Sequence, residues 1–326
     1  MKPLKLISRS EANQQYLAGY LPDYKQTGWK LEPDGKHIVF IDGCGIGRLR
    51  LVGNKKQQIA TFPVKHIKRV RIVRRADGYY VQLGIKRERV ITHVPSGKEA
   101  GIDVGLQSFL TDSEGHTVEN PRHYRKAEQK LKRLHRHLSR KKKGSQNRKK
   151  ARKALARGYL KVQRQREDFA RKQANALVSS HDLIAYEHLK IRNMVRNRRL
   201  AKSIHDAGWG IFLHWLAYYG RVHAISIIAV PPQYTSQKCS DCDTIVKKSL
   251  SVRTHICPTC GLIMDRDHNA ALNILEKALS THRGCTGGTR KQTDLLRETL
   301  LDRGPLLLAQ QWTVASPLVE GRTPVS

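Results

Sequence analysis

The stretch "AGIDVGLQSFLTDSEGHTVEN", residues 100–120, reads as an apolar strand, a Ser-Glu-Gly turn and a second strand. Asp103 is its anomaly. Flanked by Ile102 and Val104, it is a carboxylate in an apolar strand, where leaving it unpaired is costly. Upstream, residues 1–98 are β-rich. "KHIVFI", "RLRLVG", "IKRVRIVRR" and "GYYVQLGI" are short apolar or alternating runs broken by Gly and Asp-Gly turns, and Asp77-Gly78 marks a hairpin. "GCGIG" at 43–47 lacks the helix and the Lys-Ser/Thr ending of a phosphate loop, so it reads as a strand-to-strand turn.

Downstream the texture becomes helical and basic. From Arg122 to Arg166 there are 20 Lys/Arg against one acid, Glu128. Leu131, Leu134 and Leu138 recur at helical spacing, and "KKKGSQNRKK" interrupts the run, so residues 121–180 are expected to form a helical hairpin with a basic tip. Helices this rich in like charge repel themselves unless phosphates neutralise them. Beyond the hairpin, "DLIAYEHL" (182–189) is a buried type of strand ending in Glu187. Trp209, Phe212, Leu213 and Leu216 define a core helix, and "VHAISIIAV" (222–230) is another strand. A helix is expected at 268–279, and residues 280–326 read as a weakly ordered tail.

The formal net charge of +34 over 326 residues points to a polyanionic partner, of which nucleic acid is the commonest. The opening "MKPLKLISRS" has no apolar signal core and no apolar run is long enough to span a bilayer, so a reducing cytoplasm and no membrane are expected. In that compartment the six cysteines are not a disulfide framework, and Cys44 and Cys285 read as unpaired thiols. The other four form "CSDC" (Cys239, Cys242) and "CPTC" (Cys257, Cys260), with 14 residues between the pairs. Two such knuckles complete a tetrahedral thiolate shell for Zn2+. A closed shell of four sulfurs makes this metal structural.

Asp103, Glu187 and Asp267 are the acids that stand out, and only a fold can bring them together. Three clustered carboxylates suit a pair of Mg2+ ions that activate water and hold a scissile phosphate. The plain alternatives are Asp103 in a strand-end turn, Glu187 on the surface and Asp267 as N-cap of "HNAALNIL".

These same segments carry a resemblance. "GIDVGL", "YEHL", "TSQKCSDC", "CPTCG" and "DRDHNAALNIL" occur in order, and over roughly 60–280 the chain resembles the TnpB (OrfB) proteins of bacterial insertion sequences, relatives of the type V CRISPR effectors. The resemblance implies an α/β fold: an RNase H-like (RuvC) nuclease domain at 99–279 with the hairpin and a zinc ribbon (235–264) inserted. A partial, wedge-like β-barrel of the oligonucleotide-binding type precedes it at 1–98. It further implies Asp103, Glu187 and Asp267 as a Mg2+-binding triad, and an RNA-guided DNA endonuclease whose guide derives from the transposable element. A nucleoid-associated bacterial protein follows. Members open with a helical recognition domain between two barrel halves; this chain begins at "MKPLKLISRS" with only the later half, so a truncated copy is expected. The competing expectation is a nucleic-acid-binding remnant or regulator that does not cleave. Asp243 stands after Cys242 where the family has Gly, a position whose backbone conformation Asp tolerates.

Overall fold

A computed structural model describes residues 23–24, 26–35, 37–41, 48–51, 63–86, 93–249, 251–284 and 314–316. They fall into two units, one from the described residues up to 86 together with 314–316, the other from 93–284. Among them no helix is long and apolar enough to cross a membrane. The "GCGIG" turn, Cys44, Cys285 and nearly all of the expected tail lie outside the described residues.

The first unit holds β1 (Asp23–Tyr24), β2 (Trp29–Leu31), β3 (His37–Phe40), β4 (Arg48–Arg50), β5 (Ile67–Arg75) and β6 (Gly78–Ile85). The Asp77-Gly78 turn joins β5 to β6 as expected, and Val314–Ser316 adds a strand to the far edge of β6. The strands make two sheets, β1-β5-β6 with that added strand, and β2-β3-β4, rather than one barrel ladder among the described residues. Alternation along the strands sends Trp29, Ile38, Phe40, Ile67, Val70, Ile72 and Leu83 into a core shared by both sheets.

The second unit is built on a five-stranded sheet of β7 (Glu99–Val104), β8 (Ser108–Asp112), β9 (Thr117–Glu119), β10 (Leu183–Glu187) and β11 (Ser226–Val230), in the order β11-β10-β7-β8-β9. β7, β10 and β11 are mutually parallel, whereas β8 and β9 run antiparallel. The stretch 100–112, read from its apolar run as one strand, is two. The chain turns at Gly105, whose N–H bonds the Phe109 carbonyl at 3.2 Å. A side chain at Gly105 would sit 2.9 Å from the Ser108 carbonyl oxygen, so only glycine makes this turn without displacing backbone.

Between β9 and β10 come α1 (His123–Ser139) and α2 (Gln146–Ser180), the expected hairpin. Leu131 packs with Leu155 and Val162, and the turn is fastened by Arg148, whose Nη1 donates 3.0 Å bonds to the Leu138 and Lys141 carbonyls at the end of α1. The length of α2 follows from two burial patterns in one helix. Its first half packs on α1, while Ala170, Ala174 and Val178 face the sheet core. Phe109 of β8 meets Phe169 of α2 edge-on at 4.9 Å, and Phe212 of a later helix at 5.2 Å.

After β10 the chain forms α3 (Ile191–Met194), α4 (Arg198–Ala207) and α5 (Trp209–His223), then β11. Trp209, Phe212 and Leu216 are buried as their spacing requires. Following the cysteine segment, with β12 (Thr254–Ile256) and β13 (Ile263–Asp265), α6 (Arg266–Gly284) lies across the sheet, starting earlier and ending later than its apolar spacing alone suggests. Gly101 of β7 makes this packing possible: a Cβ there would lie 2.1 Å from the Ala271 carbonyl oxygen of α6. Gly101→Ala must push α6 off the strand. We expect a loss of about 3 kcal/mol or more, read by urea denaturation.

Candidate metal centres

Asp103 and Glu187 end two adjacent parallel strands. The register places Tyr186 opposite Ile102, so the next residues along β10 and β7 are Glu187 and Asp103. The third acid arrives on α6. Asp267 sits in its first turn, 8 % exposed, with Oδ2 3.8 Å from where a Cβ on Gly105 would be. Asp267 therefore stands beside the turn that follows β7.

The plain alternative of Asp267 as N-cap does not hold, because Asp265 caps α6. Asp265 Oδ1 accepts from the backbone N–H of Asp267 at 2.8 Å and of His268 at 3.2 Å, the pattern of an N-cap side chain. Asp267 is therefore released from capping and carries its carboxylate into the cleft. His268 ties this end of the helix to the Ser113 carbonyl at 3.2 Å.

The charges of the three acids act on one another. Burial raises the Asp103 carboxyl to about 8, and the charges of Glu187 and Asp267 add to the rise, while Arg266 and Arg253 oppose it. Glu187 is also raised, by burial first, against a hydrogen bond from Thr235 and the charge of Lys277. The carboxylates do not close within 4.8 Å of one another, as the donors of a single ion's shell would. A two-ion site, with its metals ~3.5–4 Å apart, needs no such closure.

Three residues that sequence reading passed over complete the cleft. The Thr235 hydroxyl donates to Glu187 Oε1; Thr235 is 2 % exposed, and its carbonyl is held by Asn273 Nδ2 at 2.8 Å. Arg253, between the cysteine pairs, donates to both oxygens of Asp267 at 3.4 and 3.3 Å, and Arg266 Nη2 reaches Oδ1 at 3.2 Å. No local pattern marks Arg253, because it meets Asp267 only after the β12–β13 hairpin forms. Thr235, five residues after Val230, the partner of Glu187 at the end of β11, had a weak signal in "TSQKC".

The four cysteines converge. Their sulfurs all lie within 4.8 Å of one another, with Cys239–Cys260 at 3.6 Å and Cys242–Cys257 at 3.4 Å. A tetrahedral shell with Zn–S near 2.3 Å spaces sulfurs ~3.8 Å apart, whereas a disulfide would bring them to ~2.05 Å. The cluster fits a zinc ribbon. Its two knuckles match bond for bond: Cys239 N–H to the Thr244 carbonyl (2.9 Å) and Asp243 N–H to that of Cys239 (3.2 Å), then Cys257 to Leu262 (2.9 Å) and Gly261 to Cys257 (3.0 Å). Gly261 and Asp243 occupy equivalent left-handed positions, φ 78° and 64°. Asp243 supports its conformation with a 2.7 Å ion pair to Lys238. The backbone N–H of Cys260, ahead of other donors, lowers the Cys257 thiol to about 6, favouring the thiolate that binds metal.

Residues 82–198 match the family model OrfB_IS605, described as "Probable transposase", and residues 209–274 match the Cas12f1-like TNB domain. Over these residues the chain is of the TnpB/OrfB family. A Streptomyces pristinaespiralis protein named an RNA-guided DNA endonuclease is 37 % identical over 226 residues, covering 68 % of this chain and 55 % of that one. InsQ of Escherichia coli K12, named likewise, is 32 % identical over 264 residues, 76 % of this chain and 63 % of its own. The TnpB/OrfB-family chain therefore spans between half and two thirds of the length of these relatives. A solved Cas12f1–sgRNA–target DNA complex aligns with 68 % of this chain and 47 % of that chain, at 17 % identity and a TM-score of 0.48.

Proposed function

We propose that the chain is a metal-dependent DNA endonuclease guided by RNA from its own transposable element, with an RNase H-like (RuvC) nuclease unit and Asp103, Glu187 and Asp267 as its Mg2+ ligands. The observation that carries this is the charge balance of the cleft. Burial, with the charge of Glu187 on the adjacent strand and of Asp267 on α6 adding to it, raises the Asp103 pKa to about 8, and a divalent cation is what removes that penalty. An all-oxygen donor set suits Mg2+. The strand order, with three antiparallel strands extended by two parallel ones, supports the RNase H-like reading.

Bound between these carboxylates, a pair of Mg2+ ions would supply an activated water and stabilise the leaving oxygen. The chain's own residues do the rest. Thr235 fixes one oxygen of Glu187 and so aims the other into the cleft. Arg253, on the half-exposed ribbon side, is placed to leave Asp267 and meet a scissile phosphate, while the less exposed Arg266 stays. The zinc ribbon is structural and sets where Arg253 stands. The basic hairpin and the Lys/Arg-rich outer face of β5 offer phosphate contacts for guide and target.

The chain, purified with its co-expressed element RNA, is to be offered labelled target DNA with Mg2+. Guide-dependent cutting that vanishes in Asp103→Ala supports the enzyme; tight, salt-sensitive binding with no cutting by wild type supports a non-cleaving regulator. The role of Thr235 has its own test. Thr235→Val is expected to weaken metal affinity and cleavage about tenfold, an effect of ~1–2 kcal/mol, and Thr235→Ser to restore them. Equal loss in both variants would show that bulk, and not the hydroxyl, matters.

A further inference from the structure

At the foot of the basic hairpin lies a cavity of about 510 Å3, walled by Tyr124 of α1, by Tyr159, Gln163 and Arg166 along one face of α2, and by Lys202 and Asp206 of α4. Neither the metal centres nor the zinc ribbon uses these residues.

The chemistry of the wall is specific. Tyr159 is 41 % exposed, and its ring is steadied by a 2.7 Å bond between its hydroxyl and His135 Nε2. Lys202 stands 6.0 Å over the Tyr124 ring, and is held by Glu128 at 2.6 Å. Asp206 is committed to the fold: its oxygens accept the backbone N–H groups of Tyr124 (2.6 Å) and Arg125 (3.0 Å) and so cap α1, whose N-terminal dipole partly offsets its charge. Arg166 Nε is buried with no hydrogen-bond partner, although buried polar atoms are nearly always paired. One exposed aromatic face beside the cations Lys202 and Arg166 describes a ligand that is flat and anionic. The volume lies within the ~300–1,000 Å3 typical of ligand pockets.

We propose that this cavity takes one unstacked nucleotide of a single-stranded nucleic acid, its base against Tyr159 and its phosphate toward Arg166 and Lys202. The proposal rests on the nucleic-acid-binding part of the functional reading and not on cleavage. Bases in a duplex are stacked and cannot enter; only a single strand offers a free face. RNA and DNA strands share this chemistry, and matched probes separate them.

The test is fluorescence anisotropy with a short single-stranded RNA and a DNA of the same sequence, on the full chain and on Tyr159→Ala, Tyr159→Phe and Lys142→Ala, each first checked for native thermal unfolding. Stacking worth ~1–3 kcal/mol per base predicts that Tyr159→Ala weakens binding about fivefold or more. Tyr159→Phe, which keeps the ring, stays within about twofold of wild type. The salt dependence of Tyr159→Ala remains that of wild type, because no phosphate contact is lost; Lys142→Ala at the hairpin tip lowers the salt slope by about one instead. Loss confined to one probe names the strand that supplies the nucleotide. Wild-type affinity in Tyr159→Ala for both probes overturns the proposal, as does a Tyr159→Phe variant as weak as the alanine. Failure of wild type to bind either probe sinks the nucleic-acid reading along with it.

Discussion

Cys239→Ser is expected to release the zinc and unfold residues 235–264 while the sheet of the second unit survives. The ribbon has almost no apolar core of its own: Ile245, Val252, Ile256 and Ile263 are all exposed, and its buried residues are chiefly Thr235, Cys239, His255 and Cys257. Without enough apolar burial, metal binding is the folding free energy, ~10–16 kcal/mol for thiolate zinc sites of this kind. The damage should spread along one path. Asn269 donates to the Lys238 carbonyl at 2.8 Å and accepts from Ser240 N–H at 3.1 Å, so the start of α6 is tied to the first knuckle. Losing the ribbon therefore loosens Asp267 and removes Arg253. Zinc analysis with hydrogen exchange checks this: protection should collapse over 236–264 and fall in the first turn of α6. Full zinc content, or unchanged protection, would contradict it.

Asp103→Asn should have two opposite effects, the abolition of cleavage and a more stable metal-free protein. The sign follows from the raised carboxyl. With a folded pKa of about 8 against an unfolded value near 4, the folded state holds its proton more tightly. Metal-free wild type is therefore destabilised progressively as pH rises from about 4 to about 8, on the order of 4 kcal/mol by pH 7. Asn has no such titration, so its stability should fall less steeply over that range, the remaining slope coming from groups such as the raised Glu187. Mg2+ binding must expel the proton, so apparent Mg2+ affinity in wild type should rise with pH up to about 8, by at most tenfold per pH unit. Urea denaturation of both proteins across this range, with and without Mg2+, measures each part. A wild type whose metal-free stability climbs between pH 5 and 8 would remove the basis for reading this cleft as cation-seeking.

What could be read from the sequence was what is local. Each CxxC pair brings its two thiols together by a short turn, and the match of the four sulfurs needed only the two knuckles to face one another. The hairpin break at "KKKGSQNRKK" and the Asp77-Gly78 turn were legible for the same reason. The split of 100–112 into β7 and β8 was not, since Val104 to Leu110 is too apolar to advertise a turn and Gly105 alone marks it. The choice between Asp265 and Asp267 as cap was likewise hidden. Both fit a capping pattern, and pairing of Thr254 with Asp265 in the ribbon hairpin is what ends the strand there and starts the helix one residue later. Arg253 and Thr235 reach the cleft through contacts spanning 14 and 48 residues, which no spacing rule encodes.

Titration of Mn2+ into wild type and into Glu187→Gln, by calorimetry at pH 8, tests most directly whether the three acids form one metal site. Glu187 belongs to that site only through the register of β10 against β7, and Gln keeps its shape and its bond from Thr235. The account predicts that the variant binds Mn2+ at least tenfold more weakly and no longer cuts DNA. Mn2+ affinity equal to wild type in Glu187→Gln would contradict it.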